Sequence, residues 1–361
     1  MYFLEERAME IVSDPGRLSA DWLNEVLQGS NWVPSGKVVG LRWKTIGSGK
    51  MGDNLRLELE YDRRDALPAT LVVKLPAADQ TARGMAAYTG AYRKEVMFYR
   101  ELAATAVIDT PNIYCALVAS DGSDFVIVME DLAPALPGDQ LRGESILRAR
   151  RALQEGAKLH SAFYGQARLL QADYITHNDP DSAAFGEQLL QQNWGGFVDR
   201  FGHGLSAGSL AFGEAYVASH AAWASRFEGA RTLIHGDFRS ENVLFNNSGR
   251  TTTVDWQTLS ESSGLADVAY FLGGSLEAEL RRSHEAALVE HYRQCLAAHG
   301  VDLSAADCWR QYREFAMHGI MITVLGAMFS APDPRGERMF LTMAQRHLQQ
   351  CVDLQATEFL P

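Results

Sequence analysis

The chain has 361 residues, a formal net charge of −12 and four cysteines. That length can bury a large core and enclose a cleft, as one two-lobed unit or two domains. The acidic balance argues against nucleic acid as the main partner, because phosphate binding requires a basic surface.

Cys115, Cys295, Cys308 and Cys351 are scattered without a CxxC pair, so neither a zinc knuckle nor a disulfide framework is indicated. The opening stretch "MYFLEERAMEIVSDPGR" carries charges where a signal peptide needs its apolar segment, and no run reaches the length of a membrane span. A cytoplasmic chain without membrane contact is expected.

In chain order, "SADWLNEVL" places Trp22, Leu23, Val26 and Leu27 on one face of a short amphipathic helix. From about residue 38 the period becomes strand-like: "VVGLRWKTIG", "NLRLELEY" and "ATLVVKLP" read as three successive strands of an antiparallel sheet. "AYRKEVMFYREL" is helical, and "DFVIVMED" is a further strand. "LAPALPGDQ", with two prolines and a glycine, reads as a linker between lobes.

Beyond it "ESILRARRALQEGAKLHSAF" spaces Ile146, Leu153, Ala157 and His160 as a helix does, and the rest of the chain is mostly helical. "NVLFNNSGRTTTVDW" interrupts it as a hairpin about an Asn-Asn-Ser-Gly turn. "HGIMITVLGAMFSA" is too short to cross a bilayer and reads as a buried helix.

The expected fold class is therefore α+β. A small antiparallel β lobe with one main helix covers 1–130, a hinge 131–138, and a larger helical lobe 139–361. Clefts between such lobes are where small molecules bind.

"GSGKMG", Gly47 to Gly52, matches GxGxxG, a signal shared by dinucleotide-binding domains and kinase phosphate-covering loops. A dinucleotide loop opens a helix, whereas here a strand follows and the next strand ends near Lys74. That favours a glycine hairpin, Gly47, Ser48, Gly49 and Gly52, over phosphates with Lys74 as counter-charge. A hairpin turn without ligand is the plain alternative. Glu95 shares a helical face with Phe98, Tyr99 and Leu102, so it points inward and is the candidate partner of Lys74.

In "HGDFRSEN", Asp237 and Asn242 have the D-x4-N spacing of a kinase catalytic loop, and thirteen residues later "TVDWQ" presents Asp255 at a strand end. Asn242 and Asp255 offer hard oxygens that suit Mg²⁺, and Asp237 is left to meet an acceptor hydroxyl. Taken singly each is ordinary turn chemistry. "GLSAG", Gly204 to Gly208, matches a hydrolase nucleophile elbow but lies among helices without the strand that motif needs. His160 and His235 read as satisfied core histidines, His235 bracing the loop.

"LIHGDFRSENVLF", "TVDWQ" and "GLADVAYFL" resemble the aminoglycoside phosphotransferase and choline kinase superfamily. "TLVVKLP", "EVMFYREL", "VMEDL" and "VDWQ" are similar to its ecdysteroid kinase-like branch, over about residues 40–350. The resemblance implies a protein-kinase-like two-lobed fold and an ATP- and Mg²⁺-dependent transfer of phosphate to a small-molecule hydroxyl. It implies Asp237 as catalytic aspartate, Asn242 and Asp255 as metal ligands, and Lys74 with Glu95 as the phosphate-positioning pair. Met129, Glu130 and Leu132 would form the adenine hinge, and Asp267 would support the catalytic loop.

Gly236 and Trp256-Gln257 depart from protein kinases, which puts activation-loop regulation in doubt. A catalytically silent nucleotide-binding protein and an aminoglycoside-type antibiotic kinase stay open as alternatives. The late segment around Trp309, Tyr312, Phe315, Met317, Met321, Met328 and Phe329 carries one acid, Glu314. It reads either as core or as an apolar acceptor pocket for a neutral alcohol.

Overall fold

The structure is a computed structural model that describes residues 9–30, 36–47, 51–63, 68–166, 168, 171–177 and 179–361. The chain divides into two compact units. Met1–Thr105, Thr110–Pro134 and Asp255–Gln257 form the first, and Ala106–Asp109, Ala135–Val254 and Thr258–Pro361 the second.

In the first unit, α1 (Ala20–Gly29) starts at Ser19, whose hydroxyl accepts from the Trp22 N–H at 3.2 Å. Its Trp22, Leu23, Val26 and Leu27 are buried, as the helical spacing predicts. They pack on a five-stranded antiparallel sheet of order β1-β2-β3-β5-β4. The strands are β1 (Val38–Ile46), β2 (Gly52–Tyr61), β3 (Thr70–Pro76), β4 (Ile113–Val118) and β5 (Phe125–Glu130).

Strand parity places the important lysine. Leu71, Val73 and Leu75 of β3 face the α1 core, so Val72 and Lys74 must point to the opposite side of the sheet. Between β3 and β4 run α2 (Gln80–Tyr88) and α3 (Ala91–Met97), the latter continuing through a π turn at Phe98–Leu102 into α4 (Ala103–Ala106). Tyr92 of α3 stacks on Phe125 with ring centroids 4.3 Å apart.

The sequence reading omits β4 and α2. "IYCALV" lacks alternation, and α2 buries only Ala86, so neither shows a clear period.

The second unit is mostly helical. It holds α5 (Ile146–Phe163), α6 (Pro180–Phe201), α7 (Ala207–Val217), α8 (His220–Ser225) and α9 (Leu265–Ser275). They are followed by α10 (Ala278–Ala298), α11 (Ala305–Glu314), α12 (His318–Phe329) and α13 (Pro334–Asp353). Every residue of α9 is buried, and α5, α10, α11, α12 and α13 all pack against it. A helix buried on all sides belongs at the centre of a large core, and the polar groups it carries must find partners there.

Among the described residues, five short strands complete this unit. β7 (Thr232–Ile234) pairs with β10 (Ser260–Ser262), and β8 (Val243–Phe245) lies between β6 (Leu136–Pro137) and β9 (Thr251–Thr253). The β8–β9 hairpin closes at the Asn-Asn-Ser-Gly turn, where Asn246 N donates to Arg250 O at 3.1 Å.

"WGGFVDRF", despite its paired glycines, lies inside α6. A Cβ at Gly196 would come 2.9 Å from the Cε of Met328 on α12, the movable end of a flexible side chain, and a Cβ at Gly195 would meet nothing within 4 Å. "GLSAG" begins at a 3-10 turn after α6 and leads into α7, with no strand before it, so it is no nucleophile elbow. No helix among the described residues is long and apolar enough to cross a membrane.

Candidate active site

Two groups of polar side chains are built, one in each unit. In the first, Lys74 is 5% exposed and Glu95 1%. The Lys74 Nζ lies 2.9 Å from Glu95 Oε1, 2.7 Å from Glu95 Oε2 and 2.9 Å from Asp255 Oδ1. Burial works against the ammonium, yet Asp255 and Glu95 outweigh it and raise the Lys74 pKa above the usual lysine range. Burial also pushes the Glu95 carboxyl above its usual range, with the Lys74 ammonium opposing that shift.

Local structure explains why these groups meet. Gly52 lets β2 run close past Lys74, because a Cβ there would lie 3.1 Å from Leu75 O and 3.4 Å from Lys74 Cε. Glu95 is held by the buried face of α3 that continues into Phe98 and Tyr99. Trp256, fully buried, stacks on Phe98 at a centroid distance of 3.6 Å and so anchors the segment that bears Asp255. Asp255 itself takes the left-handed backbone conformation, φ 71°, which is uncommon outside glycine.

Of the other expected nucleotide-site residues, Gly47 turns with φ 74°, while Ser48 and Gly49 lie outside the described residues. Met129 is buried in β5 opposite Val72, and Glu130 ends that strand with its carboxylate accepting from Asn112 N and Nδ2 at 3.1 and 3.0 Å. Leu132 follows the strand, partly buried.

In the second unit the loop after β7 carries Asp237 and Asn242. Gly236 has φ 84°, and a Cβ there would meet Thr258 O at 2.2 Å. Glycine is therefore required where protein kinases have arginine. Asp267 of α9, completely buried, accepts from His235 N at 2.7 Å, Gly236 N at 3.0 Å and His160 Nε2 at 3.1 Å. Burial opposes its charge, but the His160 bond and the nearby imidazoles and backbone N–H hold its pKa below the usual carboxylate value.

His235 bonds Val254 O at 3.0 Å and His160 bonds Tyr292 Oη at 2.8 Å, so both are satisfied core histidines.

The Asp237 carboxylate is held on both oxygens. Oδ2 accepts from Asn242 Nδ2 at 2.9 Å and from Arg239 Nε at 3.2 Å, and Oδ1 accepts from Tyr270 Oη at 2.8 Å. Asn242 Nδ2 also donates to Asp237 O at 2.8 Å, which leaves the amide oxygen of Asn242 turned to other partners. Val254 N donates to Asn242 O at 3.0 Å, so the hairpin ladder runs to the residue before Asp255. Arg239 is also paired with Glu241, which pairs in turn with Arg335. Although burial disfavours both charges, the pairing raises the Arg239 pKa and lowers that of Glu241.

Sequence reasoning missed Tyr270 and Arg239. The available signal for Tyr270 was its place three residues after Asp267, on the same helical face. In an apolar run a tyrosine reads as core, and only the fold shows where its hydroxyl goes.

The relatives agree with this architecture. A putative aminoglycoside phosphotransferase from Ralstonia eutropha superposes with a TM-score of 0.52 at 13% identity, over 93% of this chain and 99% of that one. The GDP complex of wild-type aminoglycoside 2'-phosphotransferase-IIIa gives a TM-score of 0.54 at 15% identity, over 91% and 98%. ADP-bound aminoglycoside phosphotransferase APH(2'')-Ib gives 0.50 at 15% identity, over 95% and 100%. At these identities the likeness shows the fold, which is that of kinase-like phosphotransferases. No curated protein matches the chain. The model of the ecdysteroid kinase-like family matches residues 50–304, and with that span the chain belongs to the ecdysteroid kinase-like family.

Proposed function

We propose that the protein transfers the γ-phosphate of ATP to a hydroxyl of a small molecule. The observation that carries this is the buried Lys74 clasped by Glu95 and Asp255, a costly arrangement for structure alone. In this reading 1–130 is the nucleotide-binding lobe, with the Gly47–Gly52 turn over the phosphates and backbone groups of Met129, Glu130 and Leu132 meeting adenine. Residues 131–138 are the hinge and 139–361 the lobe that receives the acceptor. Lys74, oriented by Glu95, neutralises phosphate oxygens.

Asp255 and Asn242 fit Mg²⁺ by donor chemistry: a carboxylate with an oxygen besides the one paired to Lys74, and an amide oxygen not used in holding Asp237. When bound, the ion supplies positive charge against the phosphates.

Asp237 orients the acceptor hydroxyl and takes its proton. The hydroxyl oxygen bonds to the γ-phosphorus while the bond from that phosphorus to the β–γ bridging oxygen breaks, and ADP leaves with the electron pair. Transfer of this kind is loose and positioning dominates, so a carboxylate fixed on both oxygens suits the task.

A neutral, largely apolar alcohol is the proposed acceptor class. Tyr312, Phe315 and Met317 are buried in the core, so the pocket reading rests on the remaining apolar side chains of α12. Met321, Ile322 and Met328 are partly buried, and Phe329 is 46% exposed. Such a surface accommodates an apolar ligand, whereas a polycationic sugar needs acids to offset its desolvation.

ADP release from Mg-ATP, screened over a library of hydroxylated metabolites, tests the reaction. ATP-dependent thermal stabilisation without ADP release from any acceptor would make the protein a silent nucleotide binder. Absence of both would end the reading. Efficient turnover of kanamycin-type sugars with none of hydroxylated steroids would overturn the acceptor class.

A further inference from the structure

We infer that Tyr270 is a positioning residue, fixing the Asp237 carboxylate so that one remaining lone pair of Oδ1 is where the acceptor's proton arrives. This rests on the phosphotransfer reading. A carboxylate has about four lone-pair sites. Oδ2 of Asp237 is saturated by Asn242 Nδ2 and Arg239 Nε, and among the described residues Oδ1 accepts only from Tyr270. Three of the sites are thus taken by the protein, and the fourth is on Oδ1.

The Tyr270 hydroxyl is fit to hold its end. Burial first, and then the adjacent Asp237 charge, keep it protonated far above the usual tyrosine pKa, so it stays a donor. Its ring is gripped on two sides. It lies parallel to His347 at a centroid distance of 5.0 Å and 7°, and edge-on to His318 at 5.8 Å and 87°. His318 in turn reaches Gly236 O through Nε2 at 3.2 Å.

The backbone adds to this rigidity. Tyr270 sits on fully buried α9, one turn after Asp267, which holds the N–H groups of His235 and Gly236. One helix therefore sets both the loop backbone and the carboxylate that the loop presents. Core packing alone would be satisfied by phenylalanine; the hydroxyl is accounted for by its bond to Asp237.

Tyr270→Phe tests this, because it removes the hydroxyl and keeps the stacked ring. Turnover of Mg-ATP is measured with the acceptor giving most ADP release, or with water if none does. We expect kcat to fall roughly tenfold, about 1.4 kcal/mol of barrier. KM for ATP should change less than about twofold and Tm by no more than about 3 °C. In the Asp237→Asn background the same substitution should cost little more, since the two groups act as one unit. Unchanged turnover, or a full additional loss in the Asp237→Asn background, overturns the inference while leaving the phosphotransfer reading intact. If the wild-type protein turns over no ATP, that reading fails, and crystal structures decide the placement. A carboxylate of Asp237 rotated in Tyr270→Phe supports positioning by Tyr270, and the same pose in both proteins refutes it.

Discussion

Replacing Asp267 by Asn is the sharpest test of how the loop that bears Asp237 is held. The carboxylate satisfies three donors: His235 N and His160 Nε2 on Oδ2, and Gly236 N on Oδ1. An amide offers one oxygen. If that oxygen stays toward His235, its NH₂ faces the Gly236 N–H, two donors with no acceptor between them. A buried unsatisfied donor costs about 1–3 kcal/mol, and the remaining bonds lose their charge assistance, so roughly 3 kcal/mol of stability should go. For a chain of this size that is about 4 °C in Tm.

The pH dependence has a definite sign. The folded-state pKa of Asp267 is depressed, so its charge contributes stability at neutral pH that is lost as pH falls from the usual carboxylate value through the folded one. Asp267→Asn should therefore show a flatter stability curve on the acid side. Urea unfolding followed by circular dichroism reads both effects, and ADP release should fall with them as the loop loses its anchor. A loss below about 0.5 kcal/mol with an unchanged acid limb would refute the argument.

Asp237→Asn should leave ATP binding near wild type while lowering kcat by roughly 10² to 10⁴, checked by calorimetry and by single-turnover kinetics. Lys74→Met should raise KM for ATP and reduce turnover without unfolding the chain; wild-type kinetics would mean that the clasp with Glu95 and Asp255 is structural only. Asp255→Ala should weaken Mg²⁺ activation and turnover together, read from the metal dependence of ADP release. His347 and His220 are held neutral by burial, with pKa values lowered to about 3 and about 4. His347 is faced by His318, Arg346 and Arg281, and His220 by His318 and the Tyr216 hydroxyl. Unfolded imidazoles take up protons below about pH 6.5, so stability should fall with acidification by about 1.4 kcal/mol per unit for each group. Comparing urea midpoints of wild type and His347→Gln between pH 7 and pH 5 checks this, and equal slopes would rule His347 out.

Much of the fold was legible because its elements follow their periods. The α1 face, the alternation of β2, the buried run of β5 and the Asn246–Gly249 turn all have one structural solution each. What escaped had mixed or weak periodicity. β4 is an apolar hexapeptide, and α2 buries one alanine. The helix through Trp194–Phe201 looks broken by Gly195 and Gly196, yet α6 runs on through both. Local propensity penalises those glycines, and tertiary packing outweighs that penalty.

The candidate site divides in the same way, by whether a partner is fixed by local geometry or by the fold. The hairpin ladder from Asn242 to Val254 and the D-x4-N spacing are short-range, and the sequence displays them. The burial of Glu95 follows from a helical face, so its meeting with Lys74 could be argued before any coordinates. Tyr270 and Arg239 differ, because their residue types are ordinary for their positions and only their hydrogen bonds distinguish them. Tyr270 reaches Asp237 across 33 residues of chain, through a helix whose whole circumference is buried, so hydropathy gives it no distinguishing face. A polar atom in an apolar run can still be recognised by the cost of leaving it unpaired: most buried hydroxyls find a partner, and for Tyr270 of α9 that partner is the carboxylate on which the proposed chemistry depends.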